Sequence, residues 1–274
     1  MGMNVDISII IAVYNNTEWL KMIFSMLRKQ TFKRFEVVIA DDGSSPENVK
    51  EMDALAATVD FPVQHVWHED KGWRKDIILN KAVVASKAEY LVFLDGDCIP
   101  DKHFVKDHYD LRQKGYVVGG RRVQLTQAIS DRLTPELVEK GYIRSQFFPL
   151  LFSKERHSEN VLRIPLKLRF GLIKPKNGCL LGCNFGMYKE DLLKVNGFDE
   201  RYLAPATGED TDLEARLARV GIPVLRYKFI CRVYHRKHIR KEVIPNPNVP
   251  ILEENNRLQI GYTPYGIDKS GVPS

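Results

Sequence analysis

Several groups of ionisable residues are spaced as chemistry would need them. Asp95, Gly96 and Asp97 close a short apolar run, Tyr90 to Leu94. Two carboxylates flanking a glycine let backbone and ligand come close, and they suit a hard divalent cation that holds waters and phosphate oxygens in its other positions. Asp95 and Asp97 therefore read as a metal-diphosphate site, with a solvated acidic turn as the plain alternative. Asp41 and Asp42 end a second apolar run, where an acid is the usual acceptor for a ribose or a base, although Asp42 or Ser44 could instead cap the helix that follows. Lys71, Arg74 and Lys75 crowd around Gly72, as a pocket for phosphate or a negatively charged leaving group needs, with a solvated basic turn as the plain alternative. Further on, Glu209, Asp210 and Asp212 fall at a helix start, where dipole complementation accounts for one acid but not easily for three.

The elements that must position these residues are legible as period and punctuation. Asp6 to Asn15 is a β-branched run ending in polar residues, a first buried strand. Asn16 or Thr17 caps the next helix, whose Trp19, Leu20, Ile23, Phe24 and Leu27 repeat at 3.6 residues. Phe35 to Ala40 is the second strand, so strand, helix and strand form a right-handed parallel βαβ unit. A helix over Glu47 to Ala57, a strand over Pro62 to Trp67 and a helix over Asp76 to Ser86 lead to the Tyr90 run. Ligands of open α/β sheets bind outside the carboxyl ends of the strands, so the acidic turns share one edge. In the second half, Gly178 to Met187 reads as a glycine-spaced strand whose backbone a ligand could approach closely. A helix beginning near Gly208 turns Leu213, Leu217 and Val220 inward, and Phe229 to His235 is a strand ending in histidine. Residues 161–173 alternate basic and apolar side chains, as in an acceptor-side insertion or an interfacial membrane segment. The tail from Pro245 to Ser274 is expected to run over the surface without a regular core element.

The 274 residues, 44% hydrophobic, suffice for one large α/β domain. No run approaches the roughly 18 apolar residues of a membrane span, and Met1 to Asp6 has no basic leader pattern, so a cytoplasmic chain is expected. Four cysteines fit a reducing compartment. A net charge of +6 favours anionic ligands or an anionic membrane surface, while a nucleic-acid binder would concentrate that charge on a recognisable module, which is lacking. Cys179 with Cys183, and Cys231 with His235, have spacings within the range of structural zinc. Positions four apart on a strand nevertheless lie too far apart for chelation.

Taken in order, the motifs AVYN, DDGS, EDKGWR, NKA and LDGD resemble the family 2 glycosyltransferases of the GT-A fold, nearest the bacterial chondroitin-polymerase-like and galactosyltransferase-like branch, over residues 6–240. The resemblance implies a Rossmann-like, mostly parallel central sheet with helices on both faces. It further implies a nucleotide-sugar-binding half, residues 1–118, and an acceptor-binding and catalytic half of the same domain, residues 119–244, with 245–274 as a tail. A nucleotide-sugar donor, most often UDP-linked, would be held near Ala12, Tyr14 and Asp42, with Mn²⁺ or Mg²⁺. Asp210 would be the general base, Glu209 would help hold the acceptor, and His235 would join Asp95 and Asp97 on the metal. The acceptor would be a glycan or lipid-linked glycan, as in cell-surface polysaccharide synthesis, with peripheral attachment to the inner membrane face as a further expectation. The sequence departs from related enzymes at Ala204-Pro205-Ala206-Thr207, before the GED run. Two other classes stay in view, a nucleotidyltransferase and a non-catalytic sugar-nucleotide or glycan-binding module. The loop Tyr14-Asn15-Asn16-Thr17 lacks the basic, glycine-rich character of the first, and the retained acids argue against the second.

Overall fold

The computed structural model describes residues 5–165, 175–238 and 243–270. Four parallel strands open the main sheet: β1 (Ile7–Val13), β2 (Phe35–Asp41), β3 (Val63–Trp67) and β4 (Tyr90–Asp95). They are joined by α1 (Thr17–Arg28), α2 (Pro46–Ala56) and α3 (Lys75–Ala85). The apolar runs are continuous because both faces are covered. Ile9, Ile11, Val37, Ile39, Val92 and Leu94 pack with Leu20, Ile23 and Phe24 of α1, while Ile10, Val38, Leu91 and Phe93 pack with Ile78, Ala82 and Val83 of α3. Each such side chain, fully withdrawn from water, contributes roughly 1.5–3 kcal/mol.

The chain continues through β5 (Cys98–Pro100), α4 (Phe104–Leu111), β6 (Val117–Gly119) and β7 (Arg121–Gln124). Four short helices follow: α5 (Gln127–Arg132), α6 (Pro135–Glu139), α7 (Tyr142–Ser145) and α8 (Phe147–Leu151). After them come β8 (Lys176–Asn177), β9 (Asn184–Tyr188), α9 (Lys189–Leu193), α10 (Glu209–Arg219), β10 (Val224–Arg226), β11 (Arg232–His235) and α11 (Asn248–Arg257). Among the described residues the main sheet runs β3-β2-β1-β4-β9-β6-β10-β8, and a small sheet runs β5-β11-β7. The two sequence halves thus share one sheet, parallel except where β9 and β8 pair antiparallel with their neighbours.

Three expectations change. Helix α2 is capped by Ser45, whose Oγ accepts from the Asn48 amide, which leaves Asp42 for other partners. Residues 178–183 are a loop and the strand begins only at Asn184, because the Leu180 and Gly182 amides find carboxylates on α10: Glu214 Oε2 at 2.7 Å and Asp210 Oδ2 at 2.8 Å. The tail contains a regular element, α11, with Pro250 in the first turn where no intrahelical N–H is required. Polar anchors rather than an apolar stripe hold it. Asn255 donates to Asp212 Oδ1 at 2.7 Å, and Asn248 donates to the Ala204 and Thr207 carbonyls, both at 2.7 Å. Of the 161–173 segment, residues 166–173 lie outside the described residues, and Arg163 is turned onto the buried carboxylate of Asp107.

Candidate active site

The carboxyl ends of β1 and β4 meet at the Asp95-Gly96-Asp97 turn, where the Gly96 amide donates to the Ala12 carbonyl at 2.8 Å. A Cβ at Gly96 would stand 2.6 Å from that oxygen, so the close approach requires glycine. The chain then enters β5, which pairs antiparallel with β11 so that His235 lies opposite Cys98, and the Arg236 amide donates to the Asp97 carbonyl. This register delivers His235 Nε2 to 3.4 Å from Asp97 Oδ2, and the next three residues return His238 Nε2 to 3.0 Å from the same oxygen. Donor atoms of Asp97, His235 and His238 all lie within 4.8 Å of one another.

One carboxylate oxygen and two imidazole nitrogens make a donor set for a divalent transition ion such as Mn²⁺, more than for Mg²⁺ with its preference for oxygen and water. Burial lowers the proton affinity of His235 despite the Asp97 charge, which favours the neutral ring that a metal needs. The buried Nδ1 of His235 has no hydrogen-bond partner among the described residues of the protein. Burial opposes ionisation of Asp97, but the two histidines outweigh it and hold its carboxyl below the usual range.

Two expected ligands, Asp97 and His235, thus come together, and the third member is His238 where Asp95 was expected. As the last residue of β4, Asp95 faces the start of α3, with Oδ1 2.9 Å from Lys75 Nζ. Lys75 also reaches Glu209 Oε1, at 3.2 Å, on the first residue of α10. Burial works against the Lys75 charge, but Asp95, Glu209 and Asp210 together raise its ammonium well above the ordinary lysine range. Glu209 is displaced upward by its own burial, with Lys75 opposing and Asp210 and Asp95 reinforcing the shift.

Lys75, not Lys71 or Arg74, is the loop cation that lines the cleft. The exposed Lys71 pairs with Glu69, while the Arg74 guanidinium bonds the Glu69 carbonyl and its amide donates to Asp42 Oδ2 at 3.0 Å. Asp41 is fully buried, accepting from the Ser44 amide at 2.8 Å and facing His65 Nε2 at 3.1 Å, so it shapes the turn without reaching the cleft. Asp42 does reach it, oriented by His68 at 2.7 Å, and burial raises its carboxyl against those hydrogen bonds. Ala12 lines the cleft beside Tyr14, which is 52% exposed and donates its hydroxyl to Asp70 Oδ2.

The cleft has a volume of about 850 Å³, a size suited to a small-molecule ligand. Its walls combine Asp42, Lys75, Asp95, Asp97, Glu209, Asp210, His235 and His238 with Arg122 and Trp73. His238, Lys75 and Arg122 were not assigned from sequence. A histidine three residues beyond another at a strand end was the available signal for His238, and Arg122 carried none. The zinc spacing finds no support among the described residues: Cys179 is exposed while Cys183 and Cys231 are buried, and the only grouping of potential metal donors is Asp97, His235 and His238.

A βαβ-built sheet with a donor triad and an acidic helix start at its carboxyl edge is the arrangement of a GT-A protein. Residues 8–194 match Glycosyl transferase family 2, and residues 173–240 match the N-terminal domain of galactosyltransferase. The chain belongs to glycosyl transferase family 2. It is 30% identical to the chondroitin synthase of Escherichia coli over 234 residues, 78% of this chain and 32% of that protein. It is 27% identical to the glycosyltransferase GlyG of Streptococcus pneumoniae serotype 4 over 108 residues, 39% of this chain and 35% of that one. The chain spans about a third of the length of these curated relatives. Among solved structures it is similar to GalNAc-T7 with UDP, GalNAc and Mn²⁺, with a TM-score of 0.62 at 15% identity, covering 91% of this chain and 48% of that one. It is also similar to the mannosyltransferase PcManGT from Pyrobaculum calidifontis in complex with GDP-Man and Mn²⁺, with a TM-score of 0.57 at 17% identity, covering 92% and 62%. At these identities the likeness shows the fold, which is GT-A.

Proposed function

We propose that the chain is an inverting, metal-dependent glycosyltransferase that moves a sugar from a UDP-linked donor to a hydroxyl of a glycan or glycolipid in cell-surface polysaccharide or lipopolysaccharide synthesis. One observation carries the reading: the Asp97, His235 and His238 donors share a cleft with Glu209 and Asp210 of α10. Structurally similar proteins solved with UDP and Mn²⁺ or with GDP-mannose and Mn²⁺ support a nucleotide-sugar donor and a divalent ion.

Asp97, His235 and His238 would hold the ion, which when bound neutralises charge building on the departing diphosphate. Asp42, Ala12 and Tyr14 face the nucleoside. Asp210 takes the acceptor hydroxyl proton as that oxygen forms its bond to the anomeric carbon, and the bond to the diphosphate oxygen breaks on the opposite face with its electron pair leaving on UDP. The Gly182 amide fixes Asp210 Oδ2, so the carboxylate is oriented before the acceptor arrives. A placed base of this kind gives about 10²- to 10⁴-fold. Lys75 ties the Asp95 and Glu209 carboxylates together on the cleft wall. Incubation with a panel of UDP-sugars and Mn²⁺ should release UDP by slow hydrolysis; release at the rate seen without protein for every donor would favour a binding module instead.

A further inference from the structure

The helices α7 and α8 are almost continuous, because the Gln146, Leu150 and Phe152 amides each bond the carbonyl four residues earlier. Side chains four apart on such a stretch share a face. One face is satisfied: Ile143 and Leu150 are buried, and Phe147 and Leu151 pack beside them, in the apolar cluster that includes Trp19, Val123 and Tyr234. The other face presents Arg144, Phe148 and Phe152, with Phe148 at 66% and Phe152 at 79% exposure. Scattered exposed apolar residues are ordinary, but two phenylalanines one helical turn apart are not explained by packing.

Charge indicates what covers them. Between residues 140 and 156 the chain carries four basic side chains, Lys140, Arg144, Lys154 and Arg156, all exposed, against one acid, Glu155. That acid is bound to Lys237 at 2.7 Å. Exposed aromatic side chains on one helix face with Arg144, and with further exposed cations close by in the chain, match the boundary of an anionic bilayer, where rings enter the headgroup layer and cations meet anionic headgroups. A protein partner that closed over the phenylalanines would have to carry a matching acidic rim. The Lys237 to Glu155 bridge also fixes the patch to the segment between His235 and His238, at the mouth of the cleft.

We propose that Phe148 and Phe152, with Arg144 on the same face and the exposed Lys140, Lys154 and Arg156 near them in the chain, form a docking surface for an anionic lipid bilayer. This goes beyond the transfer reaction and is read without any donor or acceptor. The test is co-sedimentation of the purified chain with phosphatidylcholine vesicles, with and without phosphatidylglycerol, at low and high salt. Binding to the anionic vesicles is expected, weakened by salt, and reduced about tenfold or more by Phe148→Ser with Phe152→Ser and by Arg144→Glu with Lys154→Glu. Circular dichroism and thermal unfolding close to wild type would show that the variants are folded. No binding to anionic vesicles at low salt, or binding that both double variants retain in full, would overturn the proposal. So would a wild-type dimer in light scattering that Phe148→Ser with Phe152→Ser dissociates without any vesicle binding, since the face would then belong to a second copy.

Discussion

Lys75 Nζ lies 2.9 Å from Asp95 Oδ1, tying the first residue of α3 to the last residue of β4. The same ammonium holds Glu209 at 3.2 Å, so one cation joins the donor-side turn to the helix that carries Asp210. The geometry explains how a cleft can hold several acids in close quarters without unfolding around them.

Lys75→Met is therefore expected to cost about 1–3 kcal/mol of stability at neutral pH, because it leaves two partly buried carboxylates without their counter-charge. The sign with pH follows from Glu209, which is already displaced upward by burial and partly held down by Lys75. Without Lys75 its carboxyl titrates higher still, so the stability deficit shrinks as pH falls and the acid takes up its proton. Urea unfolding at pH 7 and pH 5 checks this. A deficit that grows toward pH 5 contradicts it.

Asp210→Asn is expected to lower turnover by about 10²- to 10⁴-fold while leaving UDP affinity nearly unchanged. Gly182→Ala acts on the same group from outside, since a Cβ there would stand 2.4 Å from Asp210 Oδ1. It should reduce turnover with little change in donor binding. Steady-state kinetics beside UDP titration separates the two effects, and turnover of Asp210→Asn within about threefold of wild type would remove the base assignment.

His108, which does not line the cleft, gives a pH prediction. It is completely buried, with Nε2 3.2 Å from Asn184 Oδ1, and burial brings its pKa down to about 4. An unfolded histidine titrates near about 6.5, so below that pH the unfolded chain binds a proton that the folded chain refuses. Stability should fall as pH drops from about 6.5 toward 4, by about 3 kcal/mol in total from this residue, and the contribution is absent above that range. Comparing denaturant midpoints of wild type and His108→Gln between pH 8 and pH 4.5 tests it. The variant should show a shallower decline.

Much of the donor side was legible because strands buried on both faces write themselves as continuous apolar runs, and their carboxyl ends are marked by Asp42 and by Asp95 to Asp97. The assignment of cations was not. Lys71, Arg74 and Lys75 are near neighbours, and only the start of α3 decides that Lys75 enters the cleft while Lys71 stays outside with Glu69. His238 was marked only by its place three residues beyond His235, and its reach to Asp97 depends on how the chain turns after β11. Helix α11 escaped a reading based on apolar periodicity because Asn248 and Asn255 anchor it through hydrogen bonds to the chain around α10.

The central claim is a metal-dependent nucleotide site built on Asp97, His235 and His238, and calorimetric titration of UDP with and without Mn²⁺ tests it most directly. Wild type is expected to bind UDP about tenfold or more tightly with Mn²⁺, and Asp97→Ala and His238→Ala should each lose that increment while keeping the metal-free affinity. A wild-type affinity for UDP that is the same with and without Mn²⁺, or an increment that survives in Asp97→Ala, would contradict the account.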